Sequence, residues 1–207
     1  GRTELAETLF GVRPRTTGSI EIDGQVRNIR RPSDAIAAGV FLVPEDRRVE
    51  GLILSDSVKR NISLPILGLV SWLGLVSGRR EKAKAQEMSD KMHVRTPSVN
   101  QEVGLLSGGN QQKVVLGKWL ARSPRLLILD EPTRGIDVGA KSEIYSLMDQ
   151  LAGEGVAILM ITSDLEEALG MSDRVLVLHE SQLAGDVPRS GLSEEAIMQL
   201  ATGGGAA

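Results

Sequence analysis

Leu126-Leu127-Ile128-Leu129-Asp130-Glu131-Pro132 joins an unbroken apolar run to two carboxylates and a proline. A strand with one wet face alternates apolar and polar residues. This run does not alternate, so it reads as a strand buried on both faces, the pattern of a parallel sheet. Carboxylates at the C-terminal edge of such a strand stand where α/β sheets bind ligands. Asp130 is a candidate there for holding Mg²⁺, and Glu131 for orienting or deprotonating an attacking water. Taken alone, a strand-end Asp-Glu is equally a solvated turn.

The neighbouring stretches extend the pattern. Downstream, 140–152 reads as a helix, 156–161 as another buried strand, 165–169 as a short helix, 175–178 as a strand and 192–201 as a last helix. Upstream, 3–10 is helical, and Ile20-Glu21-Ile22 before Asp23-Gly24 is a strand and turn. Residues 32–38 form a short helix with Pro32 near its start, and 40–43 an apolar strand. Strands alternating with helices predict an α/β fold with a mainly parallel sheet covered on both faces. Between about 55 and 122 the pattern is mainly helical, including a charged amphipathic stretch at 79–92. That block reads as an inserted helical subdomain, with residues 1–54 and 123–207 as the core of a single domain. A frayed tail is expected at Gly203-Gly204-Gly205.

Composition bounds the function. The chain has 207 residues, a net charge of −3 and no cysteine. The charge offers nucleic acid no electrostatic footing, and disulfides and cysteine-ligated metal sites are excluded. The most apolar stretch, 62–76, is shorter than the roughly 20 residues a bilayer-spanning helix needs and contains Pro65 and two glycines. It reads as a buried or partner-facing segment. His93 and His179 stand apart from any second ligand at metal spacing. Arg79-Arg80-Glu81-Lys82 reads as the solvated start of a helix.

A second constellation lies upstream: Leu106-Ser107-Gly108-Gly109-Asn110-Gln111-Gln112. Adjacent glycines suit a helix interior poorly, yet a helix follows, because Val115/Trp119 and Leu116/Leu120 recur at i, i+4. Ser107 is placed to cap it, and the glycines are expected to let a ligand approach the backbone. Exposed N–H groups and the positive helix end then make an anion site. Alone, the stretch is also explained as a loop with a capping serine.

Taken in order and spacing, the two constellations resemble the ATP-binding subunits of ABC transporters over almost the whole chain. Ser107-Gly108-Gly109-Asn110-Gln111 looks like the signature motif, Leu126 to Glu131 like the Walker B strand with its catalytic glutamate, and Asp137 falls in the D-loop. Gly-Asn-Gln-Gln-Lys after Ser107, and Pro132-Thr133-Arg134-Gly135-Ile136-Asp137-Val138-Gly139, look like the monosaccharide importers, in which two ATP-binding domains share one polypeptide; this chain resembles the second. The resemblance implies a RecA-like P-loop NTPase core.

It also implies that Gly1-Arg2-Thr3 is the tail of the phosphate-binding loop, G-x-x-x-x-G-K-[ST], with the first strand and most of the loop upstream of residue 1. Three positions depart from the family. Arg2 stands where lysine is expected, and the two are not interchangeable at a phosphate. Glu45 replaces the Q-loop glutamine and adds negative charge beside the γ-phosphate. Ser163 replaces the switch histidine and has no titratable nitrogen. The resemblance implies ATP and Mg²⁺, the metal held by Asp130 and by Thr3 through the nucleotide. Its implied partners are the N-terminal ATP-binding domain of the same polypeptide, membrane permease subunits and a periplasmic or extracellular sugar-binding protein, at the cytoplasmic face of the membrane. Because such domains close head to tail, an intact signature with a degenerate Walker site implies a domain that completes its partner's active site. A translation-factor or DNA-repair ATPase of the same superfamily, and a purely structural dimer partner, are the rival readings.

Overall fold

A computed structural model describes residues 1–203; Gly204 and Gly205 of the expected tail lie outside the described residues. Helix α1 (Arg2–Phe10) ends at Gly11 in the left-handed conformation. The hairpin β1 (Ile20–Ile22) and β2 (Gln25–Arg27) turns at Asp23-Gly24. Helix α2 (Pro32–Ala37) carries proline in its first turn and leads into β3 (Val40–Val43).

The next block is mainly helical around one small hairpin. It comprises α3 (Val58–Ser63), α4 (Leu67–Val70), the hairpin β4 (Ser71–Trp72) and β5 (Leu75–Val76), α5 (Gly78–Lys91) and α6 (Gly108–Leu120). The chain then returns through β6 (Leu126–Asp130), α7 (Val138–Gly153), β7 (Ala157–Ile161), α8 (Leu165–Met171), β8 (Arg174–His179), β9 (Gln182–Pro188) and α9 (Glu194–Ala201).

Strands β3, β6 and β7 form a parallel sheet with β6 in the middle. Side chains alternate across it, so one strand serves two cores. Phe41, Val43, Leu127 and Leu129 join α6, α7 and the subdomain in one apolar cluster. Val40 and Ile128 face the opposite cluster, with Ala6 and Phe10 of α1 and Ala35 of α2. The sheet is thus covered on both faces. The larger cluster runs without a break from the sheet to Ile62, Ala85 and Met92, so the inserted block is packed onto the core.

The structure differs from the sequence reading at four places. Strand β7 is only half buried, with Ala157 exposed and Ile158 to Met160 intermediate, because among the described residues it pairs with β6 alone. Strand β9 was not read at all: it pairs antiparallel with β8 through Glu180 and Ser181, both at positive φ. Hairpin turns of that kind normally announce themselves with Asn-Gly, and this one does not. The 62–76 stretch divides: Ile62, Ile66 and Val70, spaced by four, are buried, whereas the hairpin after them is exposed. Glu81 is buried rather than solvated, accepting from Ser63 Oγ at 2.8 Å and pairing with Lys59 at 3.5 Å.

Candidate functional site

Asp130 ends the central strand and is 2% exposed, and its Oδ1 has no hydrogen-bond partner among the described residues. Burial pushes its carboxyl above the ordinary carboxylate value; the Thr3 hydroxyl opposes that shift, Glu131 adds to it and Arg2 opposes it. A buried carboxylate oxygen without a donor, beside a hydroxyl, is a fitting set of hard oxygen ligands for Mg²⁺. The next residue, Glu131, adopts φ +45, which non-glycine residues rarely do. Its N–H is held by the carbonyl of Ile161 at 2.8 Å and its carbonyl accepts from Arg134 N–H at 3.1 Å. Neighbouring strand and turn therefore over-determine a strained backbone at the strand end, where strain accompanies function.

The segments around this strand end converge on it. Arg2 donates from Nη1 to the carbonyl of Thr162, so its guanidinium is engaged just after β7. Ser163, the next residue, is exposed. Glu45, after β3, forms an ion pair with Arg134, so its negative charge is balanced within the chain.

Two positioning residues escaped the sequence reading. Glu167 is 3% exposed and accepts from Thr133 Oγ1 at 3.0 Å and from the Thr162 hydroxyl. It ties the turn after β6 to the turn after β7. The available signal was Asp164-x-x-Glu167, a capping spacing, and Asp164 does cap α8 through the N–H groups of Glu166 and Glu167. Arg47 donates to the carbonyls of Arg134 at 2.9 Å and Gly135 at 3.2 Å, and its burial lowers its pKa. Nothing local distinguishes Arg47 from Arg48 in the sequence.

Ser107 caps α6: its Oγ accepts from Asn110 N–H at 3.5 Å and Asn110 Nδ2 at 2.9 Å. Asn110 Oδ1 in turn accepts from Arg95 N–H at 2.7 Å. Gln111 faces inward, donating to the Val103 carbonyl at 3.2 Å. The glycines also serve packing within the chain. A Cβ on Gly108 would stand 2.6 Å from Arg47 Nη2, and one on Gly109 2.6 Å from the Ala140 Cβ. They let the chain pack against itself, bringing the start of α6 onto the start of α7, which Asp137 caps through Ala140 N–H at 2.9 Å. No hydrogen bond or ion pair among the described residues joins Ser107 to Asp130 or Glu131. The two halves are joined instead through Arg47 and through the packing of Gly109 on Ala140.

A parallel α/β sheet ending in Asp-Glu, with a serine-capped glycine pair docked on the following helix, defines a nucleotide-binding class of domain. The family model described as ABC transporter matches residues 1–134, and the chain belongs to that family. It is 50% identical, over its full length, to "Ribose import ATP-binding protein RbsA 2" of Streptomyces avermitilis, covering 41% of that protein. It is 51% identical over 98% of its length to a "Putative ribose/galactose/methyl galactoside import ATP-binding protein" of Pseudomonas fluorescens, covering 39% of it. The chain thus spans about two fifths of the length of these curated relatives. Among solved structures, a dimeric post-hydrolysis ATP-binding cassette bound to ADP and Pi aligns with a TM-score of 0.76 at 21% identity, covering 93% of this chain and 82% of that one. That likeness supports the RecA-like ABC fold.

Proposed function

We propose that the chain is an ATP-binding domain that energises monosaccharide import by an ABC transporter, chiefly by lending its signature to a partner domain's ATP site. The observation that carries this reading is the asymmetry between its two halves. Ser107, Gly108 and Gly109 keep the family pattern and are braced by Asn110, Arg47 and Ala140. On the other half, Arg2 is engaged with the Thr162 carbonyl, Glu45 with Arg134, and Ser163 offers no imidazole. With serine at position 163, that half lacks the imidazole that could titrate near neutrality.

ATP is the substrate in this account. Mg²⁺, when bound, neutralises phosphoryl charge; Asp130 and Thr3 would hold it, and Glu131 would orient water at a site of low turnover. The domain organisation proposed is a core of 1–54 and 123–207 around a subdomain of 55–122, paired with an N-terminal ATP-binding domain of the same polypeptide. Permease subunits and a sugar-binding protein complete the assembly, with this domain at the cytoplasmic face of the membrane. Support for a permease contact comes from a cavity of about 220 Å³ at the end of β3, lined by apolar Phe10, Val12, Leu42, Pro44 and Trp119 together with Glu50, Gly51 and Lys118. Uptake of labelled ribose by the complete transporter in proteoliposomes tests the reading. ATP-driven uptake that stops with Ser107→Arg supports it, and uptake indifferent to that change refutes it.

A further inference from the structure

The hairpin between α4 and α5 exposes a group of large apolar side chains. Trp72, Leu73 and Leu75 are 69%, 81% and 77% exposed, and Leu69 just before them 67%. The exposure is built in. Leu73 and Gly74 form the two-residue turn, both at positive φ (+49 and +79). Asparagine or aspartate before the glycine is the natural choice for such a turn. A leucine there accepts backbone strain while leaving its side chain in water, which serves neither hairpin stability nor solubility.

The charges beside this tip have one sign. Ser77 caps α5 directly after β5, so Arg79, Arg80 and Lys82 emerge at the base of the hairpin. All three are exposed, and no ion pair engages them among the described residues. The acidic residue among them, Glu81, is buried against Ser63 and Lys59. The chain as a whole carries −3, so this free positive cluster runs against its overall balance.

We propose that the β4–β5 hairpin and the first turn of α5 dock on an anionic lipid surface. Trp72, Leu73 and Leu75 enter the boundary between headgroups and acyl chains, and Arg79, Arg80 and Lys82 stay among the headgroups. An apolar tip with a basic collar is the pattern of interfacial insertion, and tryptophan favours that depth because its ring is apolar with one polar edge. A protein partner would be expected to meet mixed charges at the rim of the patch; here the exposed charges of the adjoining first turn of α5 are cations. The inference rests on no part of the transport reading.

The chain contains two tryptophans, and Trp119 is packed against Phe41 in the core, so Trp119→Phe leaves Trp72 as a built-in reporter. The experiment follows Trp72 emission and co-sedimentation of the full chain with phosphatidylcholine vesicles, with and without phosphatidylglycerol. The expected result is a blue shift and pelleting with the anionic vesicles only, both weakened by high salt. Arg79→Gln with Arg80→Gln should weaken binding roughly 25-fold, since each cation near such a surface contributes about a factor of five. Leu73→Asn supplies the residue the turn prefers, so the protein stays folded while insertion is lost. No shift and no pelleting with anionic vesicles, or variants that bind as the parent does, would overturn the proposal and leave the patch as a protein-docking face.

Discussion

The ammonium of Lys113 lies 2.5 Å from Oε2 of Glu143, joining the helix that Ser107 caps to the helix that Asp137 caps. Lys113 is 3% exposed and also donates to the His93 carbonyl at 3.1 Å, while Arg95 reaches the other oxygen of Glu143 at 2.7 Å. One carboxylate on α7 thus gathers two cations from the inserted subdomain.

Glu143→Ala strands a buried ammonium with a single carbonyl for company, and removing one partner of a buried pair costs more than the pair is worth. Thermal melts should show a clear loss of stability. Lys113→Met in the Glu143→Ala background removes the stranded charge and should recover part of it. A double variant that melts below Glu143→Ala would show that the lysine stem, not its charge, matters.

Acid should act through the same contact. Lys113 is the main reason that the Glu143 carboxyl lies below its ordinary value of 4.5, and the Glu167 N–H followed by Lys141 lowers Asp164 in the same sense. A depressed carboxyl contributes stability above its unfolded value and loses it as pH falls through the folded one. Melting temperature should therefore fall on acidification below about pH 4.5. The fall should be shallower in Lys113→Met, and equal slopes would remove Glu143 from the account.

Asp130 carries the opposite sign. Burial raises its carboxyl, so its ionised form opposes folding at neutral pH, and that cost disappears as pH falls through the raised value. Asp130→Asn should raise the melting temperature at pH 7 without nucleotide, each kcal/mol appearing as about 2–4 °C in a domain of this size. Mg²⁺ with ATP should stabilise the parent and leave the variant unmoved. Equal stabilisation of both would place the metal elsewhere.

Gly109 and Ala140 test the seam between the two helices. Gly109→Ala would set two methyl carbons 2.6 Å apart, and overpacking of this kind costs about 1–3 kcal/mol. Denaturant unfolding should show that loss, and Ala140→Gly should restore much of it if the contact is the cause. Independent, additive effects would exclude the contact.

The sequence made the sheet legible because β3 and β6 are continuous apolar runs, and it made the helix after Ser107 legible through its i, i+4 face. It hid β9, whose turn at Glu180 and Ser181 uses residues that give no turn signal. It hid the exposure of β7 too, since Val156 to Ile161 reads as apolar whether or not a second strand pairs with it. At the site, Asp130 and Ser107 were marked by local pattern. Arg47 was not, because its partner lies 87 residues away, and for Glu167 the capping spacing with Asp164 gave no hint of Thr133, 34 residues away. The packing role of Gly108 and Gly109 was hidden as well: a small residue can admit a ligand, a neighbouring helix or both, and their approach to Arg47 and Ala140 shows only in the fold.

The central claim is that this domain contributes its signature while its own Walker half is idle. ATP turnover by the complete transporter, measured in parallel with Ser107→Arg and with Glu131→Gln, tests it most directly. The account predicts near-complete loss with Ser107→Arg and near-parent turnover with Glu131→Gln. Comparable losses from both would show that the site built on Arg2, Asp130 and Glu131 hydrolyses ATP as well, and would contradict it.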